Sequence, residues 1–149
     1  MTELIRIPNI ENYTQEIING ELILRVKKKY ITENELNMTQ IKHSTIEKCI
    51  IKKKEAIIST KTAWRSLLVD IWKSMPTQKI FQNTTFNLKL KNQNGEKGYK
   101  WCDDINMSFQ NKDATGTLKE ILKMVKVNKF TIELSIKLET GRIVHFKIE

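Results

Sequence analysis

Reactive side chains are sparse in this chain, so the chemistry open to it can be read almost residue by residue. Three aspartates, Asp103, Asp104 and Asp113, gather near Trp101 and Cys102. A hard cation such as magnesium takes one or two carboxylates together with substrate phosphate, so a metal-dependent nuclease centre is one reading of that group. The competing reading is a solvated turn, because aspartate readily bonds its own backbone, and no strand-borne Glu-x-Lys follows at a nuclease spacing. Two thiol–imidazole pairs are conceivable, Cys102 with His145 and Cys49 with His43. Nucleophilic catalysis needs the base within hydrogen-bond reach and a third group to orient it. His145, however, alternates with Val144 and Phe146 as an outward-facing strand residue does. The two cysteines are far apart and have no CxxC partner, which makes both free thiols rather than parts of a zinc site or a disulfide framework. A glycine-rich phosphate loop, GxSxG, HExxH and the dinucleotide fingerprint are all absent from the sequence. The expectation is a non-enzymatic protein with no catalytic residues, no metal and no cofactor.

Charge gives a stronger lead than catalysis. The formal net charge is +9 with a pI near 9.5, enough to attract a polyanion. Almost all of it is lysine, since arginine occurs only at positions 6, 25, 65 and 142. Lysine, isoleucine and asparagine share A/T-rich codons, so an A/T-rich genome, such as that of a virus, a phage or a low-GC microbe, would also enrich them. A G/C-rich third codon position would sink that explanation. Within the chain, Lys119, Lys123 and Lys126 share one side of a helical segment, spaced to follow a phosphate backbone. Lys27, Lys28 and Lys29 form a second cluster, and Lys52, Lys53 and Lys54 a third. For each the alternative is a merely solvated face. Tyr99 and Trp101 flank Lys100 on a strand and form either a stacking platform for bases or the inner face of a sheet. Trp64 and Trp72 fall on an apolar helix face and read as core.

These groups must be held by elements whose periodicity is clearest at the C-terminal end. Thr117 and Glu120 have capping-box spacing, and Leu118, Ile121, Leu122 and Val125 fall on one helical face, predicting a helix over 116–127. Phe130, Ile132, Leu134, Ile136 and Leu138 then alternate with polar residues, Thr140-Gly141 turns, and Val144, Phe146 and Ile148 alternate again. That is a helix followed by a hairpin. A second helix spans 62–75, with Trp64, Leu67, Leu68, Ile71, Trp72 and Met75 on one face and Pro76 as its stop. It too leads into a reading of strands, Thr85–Leu90 and Tyr99–Trp101 about an Asn94-Gly95 turn, so a duplicated α-β-β layout is suggested. Between the two units Ile105, Met107 and Phe109 form a short strand, and Asn111, Lys112 and Asp113 a loop.

The N-terminal half is less regular. Pro8-Asn9 offers a helix cap, but Asn19-Gly20 between Gln15–Ile18 and Glu21–Val26 is the stronger hairpin signal. Thr32 and Glu35 cap a turn of helix through Leu36, Met38 and Ile41. Residues 44–58 read as two strands turning at Lys52–Glu55, in preference to a long helix whose apolar stripe Lys53 and Thr60 would interrupt.

The chain therefore reads as a single α+β domain over 1–149, with a mainly antiparallel sheet built from hairpins and two covering helices. No apolar run is long enough to cross a bilayer and no signal segment opens the sequence, so a soluble, intracellular and, in a host cell, cytoplasmic protein is expected, without a membrane partner. The leading functional expectation is binding of nucleic acid, DNA or RNA, through Lys119, Lys123, Lys126, Lys52, Lys53 and Lys54, with Tyr99 and Trp101 against bases. The alternative is a viral or phage accessory module acting through protein–protein interaction with an acidic partner.

Overall fold

The structure, a computed structural model, describes residues 13–26 and 29–149. The contacts divide the chain into two units, Met1–Tyr30 and Ile31–Glu149. In the first, β1 (Tyr13–Ile18) and β2 (Glu21–Val26) form the hairpin expected from Asn19-Gly20. Both turn residues have positive φ, 51° and 80°, as a two-residue turn matched to strand twist requires. The Pro8-Asn9 cap and Lys27-Lys28 lie outside the described residues.

The second unit holds the core. Its five-stranded sheet has the order β3-β10-β9-β4-β5, with β3 (Tyr30–Ile31) a two-residue edge strand at the junction of the units. The other strands are β4 (Thr45–Lys53), β5 (Ala56–Ser59), β9 (Thr131–Lys137) and β10 (Ile143–Ile148), paired antiparallel. Residues 44–58 are thus strands, turning at Lys54 and Glu55, and the long helix is not formed. Thr32 and Glu35 close a capping box, but its 3-10 turn ends at Glu35 and Met38–Gln40 is a second turn capped by Asn37, so the turn of helix expected through Leu36, Met38 and Ile41 is broken in two. On the sheet's inner face Ile46, Cys49, Ile51, Ile132, Leu134, Ile136, Val144 and Phe146 are all buried, which fixes the register because a one-residue slip would turn every one of them to water. The opposite face carries Lys48, Glu133, His145 and Lys147, none of them buried.

Three helices supply the other layer: α1 (Trp64–Lys73), α2 (Thr77–Asn83) and α3 (Ala114–Val127), with α1 and α3 packed together. The segment Thr77–Asn83 was not legible as a helix. Pro76 stops α1 as expected but also starts α2, where its missing N–H costs nothing. The start of α3 also differs from the capping-box reading. Asp113 is the cap, its Oδ1 accepting from the Gly116 N–H at 2.8 Å, and Thr117 and Glu120 lie inside the helix and buried.

A second sheet has the order β6-β8-β7, from β6 (Leu88–Lys89), β7 (Tyr99–Cys102) and β8 (Met107–Gln110). The expected hairpin between Thr85–Leu90 and Tyr99–Trp101 does not form, because β8 lies between them and pairs with both. Met107, Ser108 and Phe109 are consecutive buried residues, the pattern of a strand covered on both faces and therefore central. The duplicated α-β-β layout falls with that hairpin: α3 leads into the paired β9 and β10, whereas α1 leads into another helix. Behind β8, Trp72 meets Phe86 and Phe109 edge-on, with ring centroids 5.2 and 5.1 Å away. The fold is α+β with mainly antiparallel sheet, and among the described residues no helix is long and apolar enough to cross a membrane.

Candidate nucleic-acid interface

Helix α3 is buried almost all round. From Thr117 to Lys126 the only exposed residues are Lys119, Lys123 and Lys126, so the helix shows solvent a single row of lysines. The three lie on successive turns about 6 and 5 Å apart along the axis. Lys126 is not free within that row, since its ammonium pairs with Glu33.

The cluster at Lys52, Lys53 and Lys54 is less compact than its sequence suggests. Lys54 holds the turn with φ 54°, Lys53 is exposed, and Lys52 is half-buried, opposite Thr131 and Ile57 in the strand register. These lysines and those of α3 stand on separate elements. Tyr99 and Trp101 occupy a third place, on the side of β7 turned away from the main core. The loop between β6 and β7 covers that side: Gln93 N–H donates to Ser108 Oγ at 2.9 Å and Gln110 Nε2 donates to the Lys97 carbonyl at 2.7 Å. Tyr99 is buried, with Lys89 Nζ 5.2 Å from its ring centre. An open stacking platform is therefore not what the structure has at Tyr99. Trp101 is half-buried, and its indole N–H donates to Asp103 at 2.5 Å.

The acidic group does not converge. Asp103 is taken by Trp101 and Asp113 by the α3 cap, and among the described residues no set of three His, Cys, Asp or Glu side chains could hold a metal ion. The Cys49 thiol is a poor nucleophile. Cys49 faces the dry side of the five-stranded sheet, and burial pushes its pKa from 9.0 up to about 12, while His43 is exposed in a turn. Cys102 is buried on β7. His145 is held across the sheet by its register partner Ser135, with Oγ 2.7 Å from Nδ1, a contact the sequence reading missed.

Trp64, assigned to the core from its helical position, is only half-buried. It lines a cleft of about 270 Å³ together with Arg65, Leu68, Phe86, Phe109 and Lys112. The sequence reading assigned no role to Arg65 or Lys112. One signal pointed there: one of only four arginines sits beside a tryptophan. The chain matches no protein-family model, no curated protein and no solved structure.

Proposed function

We propose that this protein binds nucleic acid through phosphate contacts and does not turn it over. The observation that carries the reading is the lysine row of α3, a helix whose only exposed residues between Thr117 and Lys126 are cations. The net charge of +9 supports it, since phosphate neutralisation supplies most sequence-independent affinity. Lys53 and Lys54 add exposed cations on another element. The test is fluorescence anisotropy with single-stranded RNA, single-stranded DNA and duplex DNA at low and near-physiological salt. Saturable binding that persists at the higher salt is expected. Replacing Lys119, Lys123 and Lys126 by Ala should lower the salt slope by about 1 to 2, one contact being worth roughly 0.7 to 0.9 and Lys126 being engaged by Glu33. Binding that vanishes at the higher salt, or is unchanged in that variant, overturns the reading.

A second reading, action through a protein partner, is favoured by a different observation. The hairpin in the first unit exposes Ile17, Leu22 and Ile18 at 78%, 58% and 42% around its turn. Ile17 and Leu22 are direct cross-strand partners, so the apolar surface is continuous there. A partner recovered by pull-down that survives nuclease treatment and is lost on Ile17→Lys would favour this reading.

A further inference from the structure

The cleft between α1, β8 and the first turn of α3 combines three properties that a solvated lysine row lacks. Its floor is aromatic and rigid: Phe86 and Phe109 are 6% and 1% exposed, lie 6.2 Å apart between ring centres, and are both braced edge-on by Trp72. Its side wall is Trp64, whose orientation is fixed by an indole N–H donating to the Ser44 carbonyl at 3.3 Å. At its rim stand two cations, each already laid over a ring of the floor. The Arg65 guanidinium carbon is 4.8 Å from the centre of Phe109, and Lys112 Nζ is 5.0 Å from the centre of Phe86.

Neither cation is neutralised. Arg65 Nε donates to the neutral Asn111 side chain at 3.3 Å, Lys112 Nζ reaches the Thr85 hydroxyl at 3.4 Å, and neither forms an ion pair among the described residues. The carboxylates of Asp113, which follows Lys112, and of Glu120, which shares the Thr85 hydroxyl with Lys112, are otherwise engaged. Asp113 caps the helix, and Glu120 accepts from the Thr84 hydroxyl and from both the N–H and the hydroxyl of Thr85.

Gly116 fits the same arrangement. It is a poor helix former in the first turn of α3, yet a Cβ added there would stand 2.9 Å from Lys112 Cβ and 3.0 Å from its Cδ. The absence of a side chain lets the Lys112 stem lie along the helix and hold its ammonium over Phe86.

The geometry points to a site for one nucleotide unit, with its phosphate between Arg65 and Lys112 and its base on the apolar surface beside Trp64. This inference rests on the nucleic-acid reading for its natural ligand, one nucleotide of a bound strand. A guanidinium and an ammonium that form no ion pair among the described residues, held in place before the ligand arrives, suit a phosphate. Aromatic and aliphatic surface beside them suits a base of any identity, because every base has a π-face. The volume falls just below the roughly 300 Å³ at which pockets for larger ligands begin, so it takes a single ring system.

The test is a titration of the full chain at low salt with adenosine monophosphate, uridine monophosphate, adenosine and inorganic phosphate, followed through the three tryptophan indole N–H resonances. The Trp64 signal is identified by Trp64→Phe. Both monophosphates should move the Trp64 signal and leave that of buried Trp72 in place, binding more tightly than phosphate or adenosine alone. Arg65→Ala and Lys112→Ala should each weaken monophosphate binding about tenfold, the worth of one charge-assisted hydrogen bond, with thermal melting lowered by no more than roughly 2 to 4 °C for the lost ring contact. Inorganic phosphate binding as tightly as the monophosphates, or affinities indifferent to both substitutions, would overturn the inference. An oligonucleotide arm separates its failure from that of the nucleic-acid reading. Strand binding that is lost on replacing the α3 lysines but kept in full by Arg65→Ala and Lys112→Ala overturns the cleft alone. Monophosphate shifts at Trp64 with no strand binding at all would leave a nucleotide site and overturn the nucleic-acid reading.

Discussion

The five-stranded sheet with its partner strands, and the region built from α1, α2 and β6-β8-β7, use the same kinds of residue to different effect. On the sheet, apolar residues alternate along β9 and β10, the inner face is dry, and the basic residues at Lys48, Lys53 and Lys54 stand in water. In the helical region the strands are short, the aromatic residues cluster, and three exposed cations lie over rings, Arg65 on Phe109, Lys112 on Phe86 and Lys89 on Tyr99. A lysine in water attracts phosphate but must be ordered when it binds, at a cost in side-chain entropy. A cation already resting on a ring has met much of that cost. The sheet thus builds the stable frame, and the helices with the loops that carry Phe86 and Lys112 build the preorganised site.

The comparison breaks first if the floor of the cleft is not part of the core. Phe109 is 1% exposed and touches Trp72 and Phe86, so Phe109→Ala should cost about 3 to 5 kcal/mol in urea denaturation. A loss below about 1 kcal/mol would mean the rings are loosely held and the site is not preorganised.

Next in size is Glu120, which is 1% exposed and accepts three hydrogen bonds from Thr84 and Thr85, the residues just before Phe86. Glu120→Ala leaves those donors without their acceptor and should destabilise by roughly 2 to 4 kcal/mol. Glu120→Gln, which keeps an acceptor oxygen, should cost less. Equal melting of the wild type and Glu120→Ala would show that the carboxylate does not fix the loop that carries Phe86.

The two regions also differ in what their sequences disclosed. Phe130 to Leu138 alternates over nine residues with no interruption, and a slip there would expose every apolar side chain, so the strand and its buried face were legible. Asn19-Gly20 and the turn at Lys54 were legible for the same reason, since local pattern and final structure agree. The β6-β8-β7 order was not, because β6 is two residues long and which strand lies between two others is decided by long-range pairing. Helix α2 was hidden by reading Pro76 only as a stop. For the site, the lysine row of α3 was visible as a helical spacing. The cleft was not, because Trp64 and Arg65 meet Phe109 and Lys112 only through the tertiary packing of α1 against β8 and α3. Thr117 and Glu120 show the converse error: a local signature was present, and packing gave the two residues other work.

A smaller effect probes the dry side of the sheet. Cys49 holds its proton in the native state up to a pKa of about 12, against 9.0 ordinarily. Between those values the unfolded chain releases a proton that the native protein keeps, so stability is full below pH 9 and is lost as pH rises toward 12. The difference in stability between the wild type and Cys49→Val should be constant from pH 7 to 8.5. By pH 10 the wild type should lose about 1 to 2 kcal/mol relative to the variant. A flat difference across that range would mean that water reaches the thiol and that the inner face is no drier than the cleft.

The finest distinction concerns Gly116, where helix propensity and site geometry oppose each other. Alanine in place of a helical glycine ordinarily gains about 1 kcal/mol. Here the new Cβ would meet Lys112 Cβ at 2.9 Å, closer than such atoms approach, and the near end of a side chain cannot swing away as its tip can. Gly116→Ala alone should therefore gain little or nothing. In a Lys112→Gly background both opposing atoms are gone and the same change should stabilise, giving a coupling of about 0.5 to 1 kcal/mol in a double-mutant cycle. The sign identifies the cause, because a glycine required only by backbone conformation would be equally costly to replace in both backgrounds. Gly116 has no positive φ, which leaves the Lys112 stem as the reason for its presence. Additive effects would remove that reason, and with it the argument that the Lys112 ammonium is held over Phe86 by design of the helix rather than by chance of its rotamer.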